Sequence, residues 1–326
     1  MTSTTVTTGS GTTGSDLPPN PSGLPEPGAG GVAQPSGTPG NLVVLPWAGH
    51  KGAISYSFDD ANSTQINNEQ QLMGLGVPFT WYLQTGKQEA GNAFYQRALE
   101  AGHELGNHTQ SHGSGAADSD VNQAQSFLMS QYSVVGFTMA APNGSTNNYN
   151  NITQQLFILD RGVSDALIGP DDNTNMLNLP SWIPPQGAGT AQFNPKADAA
   201  QSQGKWQTVC IHGFTGGSDG AYQPIDLNGF LAHIDYVKEK GDVWIGTMLD
   251  VGAYFLGRKA VAAATPTTQG SDQVYTWTLP NVFPPGHYVR VTVDGGTLSQ
   301  DGEVLPWNDH GFYEVALDVG SLTISP

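Results

Sequence analysis

From residue 42 the chain alternates short apolar runs with stretches of helical period. "AISYSF" (53–58) reads as a buried strand, and "STQINNEQQLMGLG" (63–76) as a helix capped by Asn62 or Ser63 and stopped at Gly74 or Gly76. "VPFTWYL" (77–83) predicts a strand, "NAFYQRALEAG" (92–102) a helix, "HELGNH" (103–108) a short strand and "DVNQAQSFLMSQY" (120–132) a helix capped by Asp120. Strands follow over 134–142, 208–214 and 242–248, with a helix over 226–241 capped by Asp226, and "LDVGAYFLGRKA" (249–260) closes the series. Repeated strand–helix units imply a parallel sheet with helices outside it, open or closed into a barrel. Residues 145–200 are rich in Asn and Pro and show no clear period.

After residue 260 the period changes to two. "QVYTWTL" (273–279), "HYVRVTV" (287–293) and "GFYEVALDV" (311–319) alternate between Pro and Gly turns, with no helical pattern. Residues 260–326 are expected to form a small all-β appendage, too short for an immunoglobulin-sized sandwich. Its aromatics Trp277, Tyr288, Trp307 and Tyr313 suit core packing better than sugar stacking. Residues 1–41 are rich first in Thr, Gly and Ser, then in Pro and Gly, and predict a disordered linker. The division is thus linker 1–41, barrel 42–259 and β domain 260–326.

Charge narrows the partners. The net charge is -17 and charged residues are 12% of the chain, so nucleic acid and anionic membranes find no basic patch to bind. A surface of Asn, Gln, Ser, Thr and Gly suits an exported, extracellular or cell-surface monomer that handles neutral polymers. No stretch approaches the roughly 20 apolar residues of a membrane span, and no signal peptide is visible. The lone Cys210, in "VCIHGF", reads as a small buried hydrophobe.

The strand at 53–58 runs into two adjacent carboxylates, Asp59 and Asp60. Asp is common where strands stop, but two like charges side by side are offset by a cation. Imidazoles suited to the same cation stand at His108 and His112 in "GNHTQSH", an i,i+4 spacing that puts both rings on one side of a helical turn. Both pairs directly follow predicted parallel strands, as does His212. In a β/α barrel such positions converge on one mouth.

"SFDD", "HTQSH" and "IH" after an apolar strand resemble, in order and spacing over 42–258, the motifs of the NodB-homology polysaccharide deacetylases, carbohydrate esterase family four. The resemblance implies a distorted (β/α) barrel and one divalent ion, Zn2+ with Co2+ or Ni2+ as substitutes, held by Asp60, His108 and His112. It implies Asp59 as catalytic base, His212 as general acid and Ile211 beside the acetyl methyl. The family's third motif normally carries an Arg that orients the base. Here the matching stretch is "AAPNG" (140–144): Pro142 fits, Ala140 replaces the Arg, and the backbone N–H of Asn143 is left to serve an oxyanion hole. Arg161 in "LDRGVSD" is the candidate substitute, Trp182 in "LPSW" the candidate sugar platform, and Asp165, Asp171 or Asp172 the candidate partner of His212. The expected activity is metal-dependent hydrolysis of O- or N-acetyl groups on a polysaccharide or oligosaccharide such as acetylxylan or chitin fragments. The alternatives are a non-catalytic carbohydrate-binding protein on the same scaffold, suggested by the missing Arg, and an adhesin whose β appendage alone binds polymer.

Overall fold

The run that ends in two aspartates forms a strand, Gly52–Asp59, buried along its whole length. Its alternation explains how both faces are covered. Ile54, Tyr56 and Phe58 join an outer cluster with Phe79, Phe94, Phe193 and Phe230, while Ser55, Ser57 and Asp59 take the other face. Burial of each large outer side chain stabilises by about 1.5–3 kcal/mol. The small inner residues leave room for chemistry at the strand's end.

This computed structural model describes residues 20–113 and 118–326; residues 1–19 of the expected linker lie outside the described residues. The first strands are β1 (Val43–Val44), β2 (Gly52–Asp59), β3 (Thr80–Leu83), β4 (Glu104–Asn107), β5 (Thr138–Ala140), β6 (Leu159–Arg161), β7 (Trp206–Ile211) and β8 (Val243–Ile245). The helices are α1 (Ser63–Asn67), α2 (Glu69–Gly74), α3 (Ala93–Glu100), α4 (Asp118–Tyr132), α5 (Asn150–Leu156), α6 (Thr190–Gln203), α7 (Leu227–Lys240) and α8 (Met248–Ala262).

Strands run in the order β6-β5-β4-β3-β2-β7, all parallel, with β8 paired to the N-terminal half of β2. The gap between β6 and β7 is spanned by Leu179–Trp182. Leu179 bridges to Arg161 and Trp182 to Val209, both parallel, through bonds such as Leu179 N to Asp160 O and Cys210 N to Trp182 O, both 2.9 Å. The aperiodic stretch 145–200 therefore supplies the piece that curls the sheet toward a closed, distorted barrel. Its few residues are too short to leave a period.

Local expectations held unevenly. Asp226 caps α7, accepting from Gly229 N at 2.7 Å. Asn62 does not cap α1 with its side chain. It donates instead to the His212 carbonyl at 2.8 Å, and the helix breaks at Asn68 into α1 and α2. Asp120 is not the cap of α4, which starts at Asp118; its carboxylate takes Ser111 N and Ser111 Oγ, each at 2.9 Å, bracing the loop that carries His112.

The C-terminal strands are β9 (Thr267–Gln269), β10 (Asp272–Thr276), β11 (Tyr288–Thr292), β12 (Thr297–Gln300), β13 (Glu303–Val304), β14 (Tyr313–Ala316) and β15 (Ser321–Ser325). They form two antiparallel sheets, β1-β11-β14 and β13-β12-β15-β10-β9. Two boundaries differ from the sequence expectation. Residues 43–44, assigned to the barrel, lie in a sheet with the appendage. Residues 20–41, part of the expected disordered linker 1–41, bond to it: Val32 N bonds Asp309 O at 2.7 Å and Gly37 N bonds Asp294 O at 3.0 Å. Such a segment buries little of its own but borrows partners from the sheets. The aromatics serve packing: Tyr313 is buried, Trp307 meets it edge-on at 4.9 Å, and Trp277 Nε1 bonds Leu317 O at 3.0 Å.

Candidate active site

Parallel strands point their C-terminal ends the same way, so side chains just past those ends share one rim. Asp59 ends β2 and Asp60 follows it. His108 follows β4, Asn143 follows β5, Arg161 ends β6 and His212 follows β7. These six, with Ala141, Gly144, Val163, Ile183, His112 and Tyr222, line a cavity of about 430 Å³, a size that suits a small ligand. The rim is strained: Asp60, His112 and Asn143 have φ of 74°, 55° and 58°, a region that costs non-glycine residues energy and clusters at functional sites.

Asp60 Oδ1 lies 3.3 Å from His108 Nε2 and 3.7 Å from His112 Nε2. The three ligand atoms all lie within 4.8 Å of one another. His108 Nδ1 donates to the Ala140 carbonyl at 2.7 Å, which leaves Nε2 as the lone-pair atom, as in metal-bound imidazoles whose other ring nitrogen is held by a carbonyl or carboxylate. That Nε2 is buried and has no hydrogen-bond partner. A buried lone pair facing a carboxylate and a second imidazole fits a divalent cation, and two nitrogens with one oxygen suit zinc, cobalt or nickel. The i,i+4 spacing works differently from the helical turn expected of it. Thr109 and His112 both have positive φ, so a kinked loop, not a helix, brings the rings to 4.8 Å between centroids.

Asp59 is the buried neighbour. Arg161 Nη2 donates to its Oδ2, and Cys210 Sγ lies 3.4 Å from the same oxygen. His108 and His212 hold Nε2 at 3.8 and 3.9 Å from it. Asp59 Oδ1 has no partner. Burial pushes the Asp59 carboxyl up, but Arg161, His108 and His212 together outweigh it and hold it below the ordinary carboxylate range. Burial likewise opposes ionisation of Asp60, and His108, His212 and Lys87 around it outweigh burial and hold it well below that range. Burial lowers His212, against the pull of both carboxylates, and its Nδ1 is buried without a partner. One side-chain amide ties the strand ends together: Gln65 Nε2 donates to Asp59 O at 2.6 Å and to His212 O at 2.9 Å.

The structure thus brings together Asp59, Asp60, His108, His112, Asn143, Arg161 and His212 from the sequence reading. It does not bring Trp182, Ile211 or Pro142 onto the cavity wall. Trp182 has its backbone in the barrel wall and its ring outside, edge-on to Phe193 at 5.2 Å and under Lys196 at 4.9 Å. Ile211 belongs to the outer cluster, because the strand alternation that turns Cys210 inward turns Ile211 outward. Pro142 is buried and does not line the cavity. None of the candidate partners meets His212: Asp165 pairs with Lys196, Asp171 with Arg258, and Asp172 caps the Gly169 N–H. Sequence reasoning missed Tyr222, Ile183, Val163 and Gln65. Only Tyr222 left a signal, an aromatic inside a glycine-rich loop directly after His212.

Residues 48–156 match the family model described as polysaccharide deacetylase, which bears out the resemblance over that span. No curated protein matches the chain. A provisionally named polysaccharide deacetylase from Mycobacterium smegmatis superposes with a TM-score of 0.51 at 16% identity, over 71% of this chain and 96% of that one, and shares its fold. Two further structures are matched at lower similarity. One is the Xyl-CE4 domain of a multidomain xylanase from the hindgut metagenome of Trinervitermes trinervoides, with TM-score 0.43, 18% identity, and 71% and 98% of the chains covered. The other is the catalytic domain of peptidoglycan N-acetylglucosamine deacetylase from Eubacterium rectale, with TM-score 0.44, 15% identity, and 63% and 91% covered.

Proposed function

We propose, on the premise that residues 48–156 belong to the polysaccharide deacetylase family, that this chain hydrolyses acetyl groups from a neutral polysaccharide or oligosaccharide with the help of one divalent cation. One observation carries the reading. A buried, unpartnered His108 Nε2 faces Asp60 and His112, while the adjacent Asp59 is turned to Arg161 with one oxygen free. A cation held by Asp60, His108 and His112 supplies polarisation of the acetyl carbonyl and acidification of water.

The chain's own residues do the proton work. Asp59 Oδ1, kept ionised by Arg161, takes a proton as water oxygen bonds to the acetyl carbon and the carbonyl electron pair moves onto oxygen. The backbone N–H of Asn143 is the proposed donor to that oxyanion. As the tetrahedral species collapses, the bond to the sugar oxygen or nitrogen breaks and His212 protonates the leaving atom. Its lowered pKa makes the protonated ring scarcer and a better donor. Arg161 fills the place of the absent third-motif arginine from a different strand, which weakens the case for a catalytically dead binding protein. The charge of -17 favours neutral xylan or chitin fragments over anionic walls, and the polar composition favours an extracellular or cell-surface monomer.

The test is acetate release from acetylated xylan and from chitooligosaccharides, O-acetyl against N-acetyl, with and without chelator and metal restoration. Metal-restored release that His108→Ala abolishes supports the reading. Release untouched by chelator and by that substitution rejects it, and binding of the sugars without release favours the binding-protein alternative. Binding confined to residues beyond 260 favours the adhesin.

A further inference from the structure

We infer that Tyr222 is the platform on which a pyranose ring of the substrate stacks, and that Asp219 holds it in place. This rests on the proposed activity and assigns its substrate side. Among the described residues Tyr222 is the most exposed large apolar side chain, at 59%, and it is an aromatic wall of the catalytic cavity. Its ring meets His212 edge to face at 5.4 Å and 83°, so it borders the proposed acid, and among the described residues no ring stacks parallel on it. The platform expected at Trp182 is closed off, because that ring is packed outside the barrel.

Exposure alone is ordinary; what marks Tyr222 is its mounting. It sits in a loop with Gly213, Gly216, Gly217 and Gly220, a composition that by itself gives a mobile segment. Yet the loop is pinned to the start of α1, next to the catalytic aspartates. Asp219 Oδ2 accepts from Thr64 N at 2.7 Å and Ser63 Oγ at 3.4 Å. Phe214 N donates to Thr64 Oγ1 at 3.2 Å, and a Cβ on Gly217 would come within 2.1 Å of Thr64 Cγ2. An open aromatic face on an anchored loop binds at low entropic cost. A pyranose offers a C–H face that matches it, and a chain this acidic, at a net charge of -17, repels an anionic sugar.

Isothermal titration of the full chain with unacetylated xylohexaose and with cellohexaose, neither of which carries an acetyl group, reads binding without turnover. Kinetics on an acetylated oligosaccharide and on 4-nitrophenyl acetate read the preference for sugar. Tyr222→Ala is expected to weaken oligosaccharide binding about tenfold, to raise KM more than it lowers kcat, and to lower the oligosaccharide-to-aryl-acetate ratio of kcat/KM by a similar factor. Tyr222→Trp should keep the affinity and Asp219→Asn should fall between. Wild-type protein that binds neither hexaose, Tyr222→Ala that binds like wild type, or equal losses on sugar and aryl ester would each overturn the platform. Tyr222-dependent binding with no acetate release would leave the platform standing and sink the proposed activity instead.

Discussion

Two arginines are wholly buried, each against one carboxylate, and they are treated in opposite ways. Arg290, in β11, bonds through all three of its nitrogens: Nε on Glu314 Oε1 at 2.9 Å, Nη1 on Pro25 O and Ala48 O, and Nη2 on Leu24 O. Glu314 also takes Ser22 N and Oγ. Arg161, at the barrel rim, leaves its Nε unpartnered, as Asp59 leaves Oδ1, His108 leaves Nε2 and His212 leaves Nδ1. Leaving buried polar atoms bare costs free energy that folding does not recover. The first pair staples the extended segment 20–41 to the β sheets; the second is held ready for a ligand that completes it.

The largest expected effects break this comparison directly. Asp59→Asn should lower kcat per folded molecule by about 10³-fold, within the span general-base removal produces. Arg161→Met should lower kcat by about 10²-fold, since the base loses its charged partner. Arg290→Met leaves the buried Glu314 charge without its counter-ion, so it should cost about 3–5 kcal/mol of stability with activity per folded molecule preserved. Denaturant melts set beside acetate-release rates check all three. If Arg290→Met damages kcat and Arg161→Met damages only stability, the two pairs have been assigned the wrong way round.

Metal should act on the rim pair alone. A cation at one hundred times its Kd stabilises the native chain by about 2.7 kcal/mol, and His108→Ala should remove that gain. The readout is melting temperature against added Zn2+ after chelation. A gain that survives His108→Ala and disappears only with changes in the β region would place the ion elsewhere.

How far the sequence revealed these two regions follows from how each is built. The rim was legible because its parts are residue types with few structural uses, two acids and three imidazoles, each directly after an apolar strand. Arg161 was reachable because arginine is scarce here and it stands just before the glycine that ends β6. What stayed hidden depends on direction or on long-range closure. Alternation along β7 decides that Cys210 faces Asp59 and Ile211 does not. Leu179–Trp182 becomes wall only because β6 and β7 lie on either side, and it carries Trp182 to the outside. Arg290 and the segment 20–41 were illegible for the same reason: their partners are 24 to 292 residues apart in sequence, and a Pro/Gly-rich composition says only that the segment cannot fold alone.

A third buried carboxyl sharpens the rule because no arginine faces it. Glu104 accepts from Thr80 Oγ1 at 2.7 Å, from Leu249 N at 2.9 Å and from Thr138 Oγ1. Burial, only partly offset by these bonds, pushes it up to about 7. A carboxyl whose folded pKa is raised adds stability that is full below about pH 4.5 and is lost as pH rises through 7. Glu104→Gln cannot ionise, so the difference in unfolding free energy between wild type and variant should shift by about 3 kcal/mol across that window. Parallel curves for the two proteins would show that neutral donors alone keep Glu104 charged.

The smallest expected effect concerns Cys210, the neutral neighbour that shares Asp59 Oδ2 with Arg161. Its thiol is buried, and burial raises its pKa well above the usual value, so it meets Asp59 as a weak S–H donor. A weak neutral bond contributes on the order of 0.5 kcal/mol, hence Cys210→Ala should lower kcat/KM only about twofold. Cys210→Ser, a stronger donor in the same place, should restore that factor. The two rates on one acetylated oligosaccharide decide the matter. A loss of a hundredfold in Cys210→Ala, equal to that of Arg161→Met, would mean that the base is held by a thiol as much as by a charge, and the contrast with the Arg290 pair would no longer explain why Asp59 is ionised.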